Sequence, residues 1–89
     1  MPTAENGAKD GKPGGAVIRK WRNALWNRQG RKCHYCARSI GIGKATLDHI
    51  VPKSKGGPWK KSNMVVACEP CNNKRGDMDY QEFLELCGR

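Results

Sequence analysis

The sequence predicts a small α+β domain: two short strands joined by a long loop, a helix after them, another helix in front, and a four-cysteine metal site as staple. Three observations carry this reading. Two stretches repeat apolar residues at helical spacing, two short runs are rich in strand formers, and two C-x-x-C units flank the segment between them.

With 89 residues the chain makes one domain at most, and only 37% of those residues are hydrophobic. Below roughly 70–80 ordered residues a core of this kind needs a disulfide, a metal or a partner. Residues 1–15, "MPTAENGAKDGKPGG", carry Gly, Pro and Lys without apolar periodicity and read as a disordered tail, leaving 16–89 as the domain. No secretory leader is evident, and no apolar run approaches the ~20 residues that cross a bilayer. A cytoplasmic, reducing setting without membrane attachment is therefore expected, and there cysteines hold metal more often than they pair.

"AVIRKWRNALWNRQG" (Ala16 to Gly30) predicts a helix ended by glycine, with Val17, Trp21 and Leu25 on one stripe and Arg19, Lys20, Arg22 and Arg28 around it. A cysteine knuckle follows, then a strand that ends near Pro52. "KSKGGPWKKSN" (Lys53 to Asn63) is a polar loop, and "MVVAC" is a second strand. "EPCNNKRGDMDYQEFLELC" is helical in composition, with Tyr80, Phe83, Leu84 and Cys87 at i, i+3, i+4 and i+7.

Cys33-His34-Tyr35-Cys36 and Cys68-Glu69-Pro70-Cys71 each direct two sulfurs toward a common point. Together they complete a tetrahedral Zn²⁺ site with every position filled, which is structural rather than catalytic. A redox C-x-x-C requires a thioredoxin-like context that is missing here. His34 is expected to be exposed. Cys87, the fifth cysteine, reads as a core thiol on the last apolar stripe.

The formal net charge is +9, unevenly spread. From Lys9 to Lys61 fourteen Lys and Arg face two acids, Asp10 and Asp48, whereas Asp77 to Glu85 holds four acids and no base. A basic body suits a polyanion, above all nucleic acid. A soluble basic surface gives the same total, so charge alone does not decide.

Four sulfurs around zinc leave no position for chemistry, so any activity must lie elsewhere. The run "TLDHIVP" places Asp48 and His49 side by side among strand formers. An imidazole near its ordinary pKa of ~6.5 suits a general base, and a carboxylate suits a hard cation. Strand neighbours point to opposite faces, so the two converge only if they lie at a strand end.

"LDHIVPKSKGG", then Asn63, then "CEPCNNKRGD" resembles the HNH endonucleases, whose core is a ββα-metal fold; the likeness runs from Cys33 to about Asp77. It implies that His49 activates water, that Asp48 and Asn72 ligate a divalent ion, and that Asn63 braces the loop and orients His49. Asn72 stands where the family name has its last His, and the neighbouring Asn73 offers a second amide. An all-oxygen site favours Mg²⁺ or Mn²⁺. The implied reaction is hydrolysis of phosphodiester bonds of DNA, with double-stranded DNA nicked or cut to 5′-phosphate and 3′-hydroxyl ends. Lys53, Lys55, Lys60, Lys61, Lys74 and Arg75 are candidates for phosphate contacts. Trp59 reads as a loop anchor that could also stack on a base or sugar.

Small free-standing members of this kind resemble phage factors that assist genome packaging beside the terminase, which would put the protein in the host cytoplasm. The competing reading is a zinc-knuckle module that binds nucleic acid, or serves a larger machine, without catalysis. It accounts for the charge and the cysteines but has no use for Asp48, His49 and Asn72 together.

Overall fold

The computed structural model describes residues 11–89. The first ten residues of the expected tail lie outside that range. Helix α1 spans Gly15–Arg28, followed by the cysteine knuckle, strand β1 (Ala45–His49), strand β2 (Met64–Cys68), helix α2 (Glu69–Arg75) and helix α3 (Tyr80–Leu86). Among the described residues no helix is long and apolar enough to cross a membrane.

The strands pair antiparallel, with Ala45 opposite Cys68 and His49 opposite Met64. Because side chains alternate across a strand, this register sends Ala45, Leu47, His49, Met64 and Val66 one way, and Thr46, Asp48, Val65 and Ala67 the other. The first face packs on α1 through Leu25, Trp21 and Trp26. The second packs on the knuckle and on α3, where Tyr35 and Phe83 stack edge to face with ring centroids 4.8 Å apart. A two-stranded hairpin is marginal alone, and covering both faces is what lets it hold.

The outer edge of β2 is closed by a side chain. The Gln29 amide, just past α1, donates to the Val66 carbonyl at 3.0 Å and accepts from the Val66 N–H at 2.9 Å. The His34 N–H also reaches that carbonyl, at 2.9 Å. No third strand is needed to satisfy these buried groups.

Helix α1 ends two residues before the predicted glycine, and Gly30 follows in the left-handed region at φ +74°. The C-terminal segment is two helices with a break between them. Gly76 takes φ +55° after α2, and the Asp79 carboxylate accepts the N–H groups of Gln81 and Glu82 to start α3. The break folds α3 back, so His34 is half-buried and not exposed as expected, its Nε2 2.7 Å from the Tyr80 hydroxyl.

Residues 50–63 form the long loop between the strands, with single 3₁₀ turns at Lys53–Lys55 and Lys61–Asn63. The Gly-Gly pair divides two tasks. Gly56 takes φ +87°, whereas at Gly57 a Cβ would lie 1.7 Å from the Val51 carbonyl oxygen. Substituting Gly57→Ala must therefore displace backbone, with an expected loss of ~2 kcal/mol or more, the range of overpacked sites. Gly41→Ala, where a Cβ meets nothing within 4 Å, should be neutral. Chemical denaturation of the two variants checks this, and equal midpoints would refute the steric account.

Candidate functional site

Two sites emerge, one of sulfur and one at the end of β1. The sulfurs of Cys33, Cys36, Cys68 and Cys71 all lie within 4.8 Å of one another, so the cluster can hold a metal ion. Cys36 Sγ and Cys68 Sγ are 3.9 Å apart. A tetrahedron with Zn–S bonds of ~2.3 Å has edges of about 3.8 Å, so the spacing suits zinc. The N–H groups of Tyr35 and Cys36 point at Cys33 Sγ, at 3.3 and 3.5 Å. Burial alone would push the Cys33 thiol up, yet the backbone amides of Cys36, Cys68 and Tyr35 bring it down to about 7. Burial and the crowded neighbouring sulfurs push the Cys71 thiol up. Four thiolates this close repel one another, and a shared cation removes that repulsion. Cys87 stands apart from the cluster, half-buried against the Tyr35–Phe83 core.

At the strand end, Asp48 and His49 leave β1 on opposite faces, as the pleat dictates. Asp48 is 7% exposed and lies between Tyr35 and Arg75. The Tyr35 hydroxyl and Arg75 Nη1, the latter at 2.7 Å, both donate to Oδ2. Burial, and then the adjacent carboxylate, push the Tyr35 phenol far up, so it stays protonated and donates.

Arg75 is where the structure corrects the sequence. It was expected to clamp phosphate, but it is 2% exposed and each of its three nitrogens donates inside the domain. Beyond Asp48 it donates to the carbonyls of His49 (2.5 Å), Ile50 (2.7 Å) and Met78 (2.9 Å). An amphipathic position explains this: Arg75 lies three residues after Asn72, on the side of α2 that packs on β1. Lys74, between Asn72 and Arg75 in the chain, is exposed.

Asn72 Nδ2 donates to Thr46 Oγ1 at 2.9 Å. Since the Thr46 hydroxyl spends its proton on the Ala67 carbonyl at 2.8 Å, it must accept from Asn72. The amide nitrogen therefore faces the strand, and the carbonyl oxygen is left for another partner. Neighbouring Asn73 is exposed.

His49 packs edge-on against Trp59, with centroids 4.5 Å apart, and its Nε2 is buried without a partner. Desolvation first, and then the Lys53 ammonium, lower its pKa below the ordinary 6.5, with Asp48 opposing. The ring is therefore neutral at pH 7. Lys53 Nζ also sits 5.5 Å from the Trp59 ring centroid, and Lys12 Nζ 5.7 Å. Asn63 closes the loop from inside: its amide accepts from the Val51 N–H at 3.0 Å and donates to the carbonyls of Val51 and Pro58. Its own carbonyl accepts the Ile50 N–H at 2.7 Å. Lys53, Lys55 and Lys60 are exposed and Lys61 half-buried.

Residues 33–85 match the family model of the HNH endonucleases. The chain belongs to that family. It is similar to the CRISPR-associated endonuclease Cas9 of Actinomyces naeslundii, 36% identical over 61 residues and 67% of this chain. The Cas9 of Corynebacterium diphtheriae is 34% identical over 71 residues, 79% of the chain. The chain spans about 6% of the length of either relative. The crystal structure of the type II-C Cas9 enzyme from A. naeslundii covers 96% of this chain at TM-score 0.72 and 29% identity, with 10% of that enzyme matched.

The sequence names Asp48 and Asn72 as candidates without revealing their hydrogen-bond partners, Tyr35 for the first and Thr46 for the second. The one local signal for Tyr35 was its aromatic side chain between two knuckle cysteines, and it is fully buried.

Purified protein should carry one zinc per chain, and Cys71→Ser should lower that content and abolish the far-UV circular dichroism of the folded state at 25 °C. Structural zinc contributes ~10–16 kcal/mol in small domains, more than the rest of such a fold supplies. Metal-free protein with an unchanged spectrum would show that the sulfurs need no ion.

Proposed function

We propose that this domain is a metal-dependent DNA endonuclease of HNH type that hydrolyses phosphodiester bonds of duplex DNA, and that its cysteine cluster holds one structural zinc. The observation that carries the catalytic reading is the end of β1. There a neutral imidazole with an unengaged Nε2 follows, on the other face of the strand, a carboxylate held by Arg75, and on the carboxylate's face the Asn72 amide spends its nitrogen on Thr46 and keeps its oxygen.

In this reading Asp48 and Asn72 are the oxygen ligands of Mg²⁺ or Mn²⁺, which when bound would neutralise charge on the phosphate and the departing 3′-oxygen. Two oxygens from a strand and a facing helix fit such an ion, which keeps several waters. His49 takes a proton from the attacking water, and a 5′-phosphate and 3′-hydroxyl result. Because Nε2 is closed off in this conformation, DNA binding must shift the groups packed around the imidazole to admit water. Asn63 holds the strand end, and so the backbone of His49, through Ile50 and Val51. Lys53, Lys55, Lys60, Lys61 and Lys74 supply the phosphate contacts. A role beside a phage terminase is carried by the sequence resemblance alone.

Zinc-loaded protein in buffer freed of other metals should nick plasmid DNA only after Mg²⁺ or Mn²⁺ is added. His49→Ala should cost ~10²–10⁴-fold, the usual contribution of a general base. A His49→Ala protein that cuts at the parental rate would remove His49 from the reaction. A parent that binds DNA yet never cuts it would favour the non-catalytic module.

The pH profile adds a separate check. A base whose pKa is lowered is active above that value and fails as pH falls through it. The acid limb of kcat/KM should therefore have its midpoint below 6.5. A midpoint at or above 6.5 would contradict the desolvated setting of His49.

A further inference from the structure

We infer that Arg75 is a positioning residue for the cation ligand, turning Asp48 so that Oδ2 is used inside the domain and Oδ1 is the oxygen offered to a divalent ion. This rests on the nuclease reading above. Both hydrogen bonds to the carboxylate, from Tyr35 and from Arg75, fall on Oδ2. The Arg75 side chain itself is 0% exposed, so it touches neither DNA nor solvent and acts only through what it holds.

What makes it a positioning group is the rigidity of the guanidinium. Its plane is set by acceptors from three separate places: the end of β1 (His49), the loop start (Ile50) and the turn after α2 (Met78). With those carbonyls fixed, Nη1 can occupy one position, and the Asp48 carboxylate is oriented by it. The same group draws the His49 and Ile50 carbonyls to one point, so the backbone of the proposed base and the orientation of the ion ligand are set together. A lysine keeps the positive charge beside Asp48. Its single nitrogen cannot span Asp48 on one side and the Ile50 and Met78 carbonyls on the other. Arg75→Lys thus separates charge from geometry.

In zinc-loaded Arg75→Lys, the Mg²⁺ concentration for half-maximal cleavage should rise tenfold or more, while KM for DNA stays within twofold. A brace that served only the fold would lower the melting temperature and, well below it, leave the Mg²⁺ requirement unchanged. A requirement within twofold of the parent would overturn the proposal. If the lysine variant loses zinc or structure, the parent protein supplies the test. Its Arg75 side-chain N–H signals in ¹⁵N-edited spectra should be protected from exchange and broadened by substoichiometric Mn²⁺. Unbroadened signals at Mn²⁺ concentrations that saturate the protein would place the ion elsewhere and overturn the proposal. Failure of the nuclease reading looks different: a parent that binds Mn²⁺ beside Arg75 but does not cut. The Mn²⁺ affinities of parent and lysine variant, read by electron paramagnetic resonance, then decide the positioning role, equal affinities overturning it.

Discussion

A guanidinium buried in a domain of this size is a severe constraint, because the group has five N–H donors and none of them can turn to water. Arg75 resolves it by drawing one carboxylate, one phenol and three backbone carbonyls around itself. Those acceptors belong to the knuckle, to β1, to the loop and to the turn between α2 and α3. Removing either member of its ion pair with Asp48 would strand the other charge in the interior, at ~3–5 kcal/mol. In a fold that is short of apolar residues, that is a large share of the total stability.

The four sulfurs are the second tie, and the two ties work on the same face of the hairpin. Cys33 and Tyr35 enter that face from the knuckle, and Cys71, Asn72 and Arg75 follow one another along α2. One short helix thus contributes a sulfur, an amide and a guanidinium to adjoining tasks. The seven residues of α2 have too few internal hydrogen bonds to persist alone, so their geometry is lent by the cluster and by β1.

The opposite face of the hairpin has a different character. There α1 lays Leu25 and its tryptophans against Val66 and Met64, and His49 ends the strand under Trp59 in a dry setting. The hairpin therefore partitions its two ionisable residues. Asp48 is paired with the Arg75 guanidinium, and His49 is kept neutral by desolvation and nearby cations. Adjacent residues acquire opposite electrostatic surroundings from nothing more than the alternation of the pleat.

The local signals in the sequence determined a good deal. The two C-x-x-C units, the strand-forming runs around Asp48 and before Cys68, the Gly-Gly loop and the apolar stripes are short-range patterns, and each appears where its spacing puts it. The break between α2 and α3 escaped that reading, which took Glu69 to Cys87 as helical throughout although Gly76 and the Asp79 cap divide it. Tertiary structure alone decided where Arg75 points. By composition it belonged with Lys74 among the solvent-facing cations, and only the packing of α2 on β1 turns it inward to meet Asp48. The same packing fixes the Asn72 amide, through a threonine 26 residues away in the chain. A charged side chain does not reveal its burial locally, because what makes burial tolerable is a set of acceptors brought together from distant parts of the chain.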